Sequence, residues 1–161
     1  RIAPTEDDNY FRHKLLKGVV HDENAYLLGG VSGHAGLFST AEDIGIFSKM
    51  LIDDGYYLGM RYFTKNIIEK FTTRQNITEG SDRTLGWDTP SQNGESLAGD
   101  YFSKSSYGHL GFTGTSLWID PEQKIIVVLL TNRVHPERNN SRSMNRFRRD
   151  LHNSLMKIII D

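Results

Sequence analysis

An α+β fold, with antiparallel strands flanked by helices, is predicted by three features of the sequence. Thr115–Ile119 and Lys124–Thr131 read as two strands joined by the turn Asp120-Pro121-Glu122-Gln123. Leu37-Phe38-Ser39-Thr40-Ala41-Glu42-Asp43 reads as a capped helix start. Met144, Phe147, Leu151, Leu155 and Ile158 recur at three or four residues, one stripe of a C-terminal helix. The order helix, helix, antiparallel hairpin, helix gives an α+β layer structure. At 161 residues the chain suits one domain, long enough to bury roughly two thirds of its unfolded surface.

Taken in order, residues 1–36 are mostly loop, with an acidic opening, an extended Val19-Val20 and two glycine clusters. In the helix that follows, Ser39 and Glu42 stand at capping-box spacing, and Glu42 and Asp43 suit the positive end of the dipole. Ile44, Phe47 and Leu51 mark its apolar face, with Met50 beside it, and Gly55 is its stop. A second helix is expected from Thr64 to Phe71, with Ile67, Ile68 and Phe71 inward. Residues 75–106 are polar, and Leu85-Gly86-Trp87 reads as a short strand. Ile125–Leu130 lacks polar alternation, which predicts a central strand covered on both faces. A lone hairpin is not a stable sheet. Further strand candidates are few, so part of the fold is expected outside the chain.

Composition narrows the function. The chain is 37% hydrophobic and 24% charged, which argues against disorder. A net charge of −1 gives no global electrostatic case for nucleic acid or an anionic membrane. Ile125–Leu130, the longest apolar run, is far too short to span a bilayer. No cysteine is present, which excludes disulfides, thiolate zinc sites and cysteine nucleophiles. His21 and His34 lack a diagnostic metal spacing, and no metal is expected. Gly29-Gly30, Gly33 and Gly36 fit turns with positive φ better than a phosphate cradle, because no strand–Gly-x-Gly-x-x-Gly–helix pattern surrounds them. The arginines at 133, 138, 142, 146, 148 and 149 are the one basic concentration; Arg142, Arg146 and Arg149 share a helix face and read as solvated.

Gly108-His109-Leu110-Gly111-Phe112-Thr113-Gly114-Thr115-Ser116, followed by Leu-Trp-Ile-Asp-Pro, resembles the third motif of the serine β-lactamase and penicillin-binding-protein family. The likeness is nearest to the class C-like branch of esterases and D-peptidases. Val20-His21-Asp22-Glu23-Asn24-Ala25 and Gly30-Val31-Ser32-Gly33-His34-Ala35-Gly36-Leu37-Phe38-Ser39-Thr40-Ala41-Glu42-Asp43 resemble the approach to a family helix, in wording similar to a bacterial subgroup fused to glycoside hydrolase family 3 domains. The family's Ser-x-x-Lys and Tyr-x-Asn motifs precede these blocks. Tyr-x-Asn is absent here, and the one Ser-x-x-Lys, Ser154-Leu155-Met156-Lys157, follows the His109 motif and lies within the predicted core stripe. With no initiator methionine or signal-peptide core at its start, the chain is expected to be the C-terminal part of one β-lactamase-like domain.

The resemblance implies a serine hydrolase acting on an amide or ester through an acyl-enzyme, without a cofactor, in bacterial cell-wall turnover and outside the cytoplasm. This chain would supply the far wall of the cleft: His109 in place of the family lysine, Gly111 and Gly114 where substrate lies close, and an oxyanion-binding N–H from Phe112 or Thr113. His34 is a candidate cleft residue. A histidine titrates near ~6.5 and a lysine near ~10.4, so His109 would orient a proton-transfer network rather than clamp a carboxylate. Leu110, replacing the usual threonine, leans away from classical β-lactam hydrolysis. The expected partners are a small-molecule or peptide substrate, the rest of the domain, a glycoside hydrolase domain in the same polypeptide, and copies of the chain itself through exposed apolar surface on the C-terminal stripe and a hairpin edge. A non-catalytic module keeping the fold is the alternative.

Overall fold

The computed structural model describes residues 2–92, 95–138 and 141–160. Its centre is a three-stranded antiparallel sheet of β5 (Tyr107–Leu110), β6 (Ser116–Asp120) and β7 (Ile125–Leu129), in that order. Residues of β6 alternate between two cores. Ile119 joins Tyr107, Met50, Leu51 and Ile68 on one face. Trp118 joins Val127, Phe102, Ala98 and Met156 on the other. The sheet therefore lies between α2 (Ala41–Ile52) with α3 (Lys65–Thr72) and α4 (Ser141–Ile160). Full burial of a side chain such as Ile119 contributes about 1.5–3 kcal/mol.

The central strand is β6, not the apolar run of β7. The sequence of β7 lacks alternation because both its faces are partly covered: Ile126 packs on the first core and Ile125 on the second. The turn after β6 is held by Asp120, whose buried carboxylate accepts the N–H groups of Glu122 and Gln123, both at 3.0 Å. Outside β5, the expected strand at 85–87 is a turn; an isolated bridge forms one residue on, where Asp88 exchanges both backbone bonds with Gly108 at 2.7 and 2.9 Å.

Helix α2 starts one residue later than the capping-box reading. Thr40, not Ser39, is the N-cap, and its Oγ1 accepts the Asp43 N–H at 3.1 Å. Its buried residues are Ser48, Met50 and Leu51, while Phe47 is exposed. In α3 only Ile68 is buried; Ile67 and Phe71 face out. The inward line of α4 is also displaced, to Arg148, His152 and Met156, with Phe147 and Ile158 exposed. Polar anchors set that rotation: His152 bonds Ser116 Oγ at 3.2 Å and the Leu97 carbonyl at 3.1 Å. Burial pushes the His152 imidazole below its ordinary value. Of the arginines predicted to be solvated, Arg146 is exposed, Arg149 pairs with Asp100 at 3.0 Å and Glu95 at 2.6 Å, and the Arg142 side chain lies outside the described residues.

The chain's opening is more ordered than a loop. β1 (Glu6–Asp8) pairs with β2 (Lys14–Leu16), and α1 (Glu23–Leu27) follows, N-capped by Asp22. This unit docks on the segment after β7 through Asp7 N–H to the Pro136 carbonyl (2.8 Å) and Asn132 Nδ2 to the Pro4 carbonyl (2.5 Å). A further small hairpin, β3 (Tyr56–Tyr57) with β4 (Met60–Arg61), joins α2 to α3. Strongly exposed apolar side chains include Leu27, Leu28, Val31 and Leu37 on the approach to α2, Leu58 and Met60 in the hairpin after it, and Ile158 at the end of α4; Leu37 is 99% exposed. Among the described residues no helix is long and apolar enough to cross a membrane.

Candidate active site

The geometry of β5 follows from its ladder. Tyr107, His109 and Gly111 turn their backbone groups towards β6, as Gly111 N–H to the Thr115 carbonyl (2.8 Å) records. Alternation then turns the groups of Gly108 and Leu110 to the other edge. Gly108 is occupied there by Asp88. Leu110 faces outward beyond the bridge. Phe112 lies in the turn that follows, and its N–H points opposite to the Gly111 carbonyl of the same trans peptide unit.

His109 stands exposed at the end of this strand. Its Nδ1 lies 3.0 Å from the Leu110 carbonyl. A carbonyl only accepts, so Nδ1 carries the proton, and in the neutral ring Nε2 is left as an acceptor.

The following turn is tied down through its carbonyls. Gly111 O accepts Gly114 N–H (3.1 Å) and Arg148 Nη2 (2.6 Å). Phe112 O accepts Arg133 Nε (2.7 Å), and Thr113 O accepts Arg133 N–H (2.8 Å). Gly114 O accepts Thr131 Oγ1 (2.7 Å), and Thr115 O accepts Arg148 Nη2 (2.7 Å). Five successive carbonyls are thus hydrogen-bonded within the protein. No described residue accepts the N–H of Phe112 or Thr113, the two groups between which the sequence left the choice open. The glycines serve the turn itself. A Cβ on Gly111 would lie 2.1 Å from Thr115 Oγ1, and Gly114 is buried at φ +115° with Thr131 Oγ1 2.6 Å from its Cβ position. Internal crowding is one reason that neither position carries a side chain.

Phe112 is 58% exposed, yet its ring is flanked. His21 stacks on it at 5.7 Å and 25°, and the Arg133 guanidinium lies 4.4 Å from its centre. His21 Nε2 donates to buried Glu6 (2.8 Å), which Arg138 grips with Nε and Nη2 at 2.7 and 2.5 Å. Arg138 also reaches Glu23 at 3.0 Å, and Tyr10 Oη bonds the same carboxylate. Next to His21, Asp22 accepts from His34 Nε2 at 2.8 Å, and Ser32 Oγ donates to His34 Nδ1 at 2.7 Å. The structure therefore links His34 to the Phe112 turn through Asp22 and His21. Among the described residues no His, Asp or Glu group is arranged to hold a metal.

The charges have readable consequences. Arg138's hydrogen bonds hold the Glu6 carboxyl below its ordinary value against burial, with His21 adding to the effect. Burial pushes the Glu23 carboxyl up, but its bonds from Tyr10 and Arg138 outweigh that and leave it lowered. A carboxyl lower in the folded state than in the unfolded chain stabilises the fold fully above its unfolded value, near ~4.3 for glutamate, and loses that contribution as pH falls through the folded value. Stability of the intact natural protein is expected to fall below about pH 4, and Glu6→Gln to flatten that acid limb. Urea midpoints against pH check this; an identical acid limb in Glu6→Gln would count against it.

Arg148, Arg133 and Glu6 were not legible as site residues. Arg148 is 4% exposed, and its burial, with Arg133's charge nearby, pushes its guanidinium below the ordinary arginine value. Its partners are carbonyls from residues 111 and 115, a contact that no spacing rule shows. Ser154, in the lone Ser-x-x-Lys, donates to the Asp150 carbonyl one helical turn back at 2.8 Å, as helix hydroxyls commonly do.

Comparison with known proteins agrees with this architecture. The profile of the β-lactamase family, described as "Beta-lactamase", matches residues 3–150. An N-acetylmuramyl-L-alanine amidase of Bacillus subtilis (strain 168) is 40% identical over 128 residues, 77% of this chain and 28% of that protein. A protein of Escherichia coli (strain K12) named "Putative D-alanyl-D-alanine carboxypeptidase" is 39% identical over 131 residues, 77% of this chain and 29% of its own length. The chain thus spans less than a third of these curated relatives. A β-lactamase from Mycobacterium bovis shares the fold with a TM-score of 0.61 at 18% identity, over 84% of this chain and 53% of that one. On the match of its residues 3–150, the chain belongs to the β-lactamase family.

Proposed function

We propose that these residues form the far wall of the acyl-transfer site of a serine hydrolase of the class C-like branch, acting on an amide or ester in bacterial cell-wall turnover outside the cytoplasm. On this reading residues 1–161 are the C-terminal part of one catalytic domain, as in the subgroup joined to glycoside hydrolase family 3 domains. The nucleophilic serine and its lysine and tyrosine partners lie in the rest of that domain. The observation that carries the reading is the outward, acceptor-free N–H of Phe112 beside exposed His109, on a turn whose carbonyls are all held from behind. Relatives named for an amidase and a carboxypeptidase, both of which cut amide bonds, support the substrate class.

The chemistry follows from the geometry. As serine Oγ bonds to the substrate carbonyl carbon, the carbonyl π electrons move onto its oxygen. A fixed N–H aimed at that oxygen stabilises the charge without reorganising, and one such donor is typically worth about a hundredfold to a thousandfold in rate. The acyl carbon then loses its amine or alcohol leaving group, which takes a proton, and water later returns the acid and the free serine. His109, with Nδ1–H on the Leu110 carbonyl, offers Nε2 to the proton-transfer network. No cofactor enters these steps.

The test uses the intact natural protein with p-nitrophenyl acetate. His109→Ala is expected to lower kcat about a hundredfold, the usual effect of losing a positioned proton-transfer group. Native kcat in the folded variant would overturn the role of His109.

A further inference from the structure

Arg148 is a buried cation without a carboxylate. It is 4% exposed, its Nη2 donates to the Gly111 and Thr115 carbonyls, and its Nε has no partner among the described residues. Burying a charge is costly unless it is compensated, and carbonyls give an arginine less than a carboxylate would. A turn needing only mechanical support could be held by a neutral donor.

The position of the bond gives the arginine a second role. A peptide unit joins the C=O of one residue to the N–H of the next. The carbonyl that Arg148 holds at 2.6 Å, Gly111 O, belongs to the same planar unit as the Phe112 N–H. A cation bonded to the oxygen draws electron density through the amide and makes its N–H a stronger donor; hydrogen bonds in series reinforce one another in this way. The buried guanidinium also puts fixed positive charge behind the point where an oxyanion would form.

We propose that Arg148 is the electrostatic amplifier of the oxyanion donor: from behind the turn it polarises and positions the Gly111–Phe112 peptide, making Phe112 N–H the donor. The inference rests on the acyl-transfer reading and deepens it. It selects Phe112 over Thr113, because the Arg148 bond falls on the peptide unit that carries the Phe112 N–H. Thr113 has its own counterpart, since the Phe112 carbonyl is held by Arg133 Nε at 2.7 Å, so the two assignments can be separated. Arg148 touches no substrate; it acts through the peptide, as a positioning residue.

The experiment takes the intact natural protein, with p-nitrophenyl acetate carrying a ¹³C carbonyl as probe, and follows both kinetics and the infrared stretch of the acyl-enzyme carbonyl. Arg148→Met is expected to lower kcat about tenfold or more with KM changed less than about twofold, because the lost interaction exists only in the transition state. The acyl carbonyl stretch is expected to rise in wavenumber as its hydrogen bond weakens. Arg148→Lys, which keeps the charge but loses the planar fork, is expected to recover part of both signals, and the neutral donor Arg148→Gln carries the test if Arg148→Met does not fold. A folded Arg148→Met, or failing that Arg148→Gln, with native kcat and native stretch overturns the proposal, as does a loss confined to Arg133→Met, which would assign the donor to Thr113. If the native protein itself takes up no acyl group, the acyl-transfer reading has failed, and the amplifier role with it.

Discussion

Replacing Arg12 by methionine is expected to lower the folding stability of the intact natural protein by about 3–5 kcal/mol, the usual loss when one partner of a buried pair is removed. The Arg12 and Asp8 side chains are 3% and 0% exposed and meet at 2.7 Å. Asp8 also accepts the N–H groups of Phe11 (2.9 Å) and Arg12 (3.1 Å), closing the turn between β1 and β2. The remaining arms of Arg12 donate to the Val20 and His21 carbonyls, each at 2.7 Å. One guanidinium therefore ties the opening hairpin to the irregular segment that carries His21. Burial alone would raise the Asp8 carboxyl, but its bonds from Arg12 and the turn outweigh that and hold it well below the carboxylate range. Methionine fills much of the volume yet strands the carboxylate. Asp8→Asn in the Arg12→Met background should recover about 1 kcal/mol or more, since an amide keeps an acceptor for the turn without the charge. Urea unfolding of the three variants checks this; additive losses would show that the pair is not coupled.

The second large effect is expected at Gly108→Ala. A Cβ there would lie 2.3 Å from the Leu117 carbonyl oxygen and 2.5 Å from Trp118 Cδ2. Neither can yield easily: the first is backbone of the central strand, and Trp118 is 1% exposed and packed against Phe102 at 6.0 Å. Overpacking of this kind costs about 1–3 kcal/mol. β5 can relieve it by moving away from β6, which shifts His109 and the Phe112 turn. A misplacement of about 1 Å in a catalytic wall costs on the order of a hundredfold in rate. Gly108→Ala in the intact protein is thus expected to reduce kcat/KM far more than its stability loss accounts for. Native kcat/KM in the folded variant would mean that the strand edge does not position the chemistry.

The parts of the fold legible in the sequence were those set by local rules. The hairpin was read from Asp120-Pro121 and the apolar run after it, and the α2 start from two hydroxyl residues followed by two acids. Ser39–Glu42 and Thr40–Asp43 both carry the cap spacing, and only the helix's actual first turn decides between them. Helix faces were read less well. Phe47, Phe71, Phe147 and Ile158 are apolar but exposed, while Arg148 and His152 are polar but buried, because tertiary anchors rather than hydrophobicity set the rotation of α4. The candidate site was read as a motif, His109 to Gly114, together with the segments of His21 and His34, and the structure brings the His21 and Phe112 rings together. What supports it was not. Glu6, Arg133, Arg138 and Arg148 meet the motif from distant parts of the chain, and a cluster of arginines reads as a solvated face until their carbonyl and carboxylate partners are seen.

The central claim is that this chain forms one wall of a serine acyl-transfer site whose nucleophile it does not itself contain. The most direct measurement is to treat the intact natural protein with a fluorophosphonate probe and to map the labelled peptide. Labelling on a serine upstream of Arg1 is the result the account predicts. Labelling at Ser154, or no labelling of the folded protein, would contradict it; the latter would leave a non-catalytic module that has kept the fold.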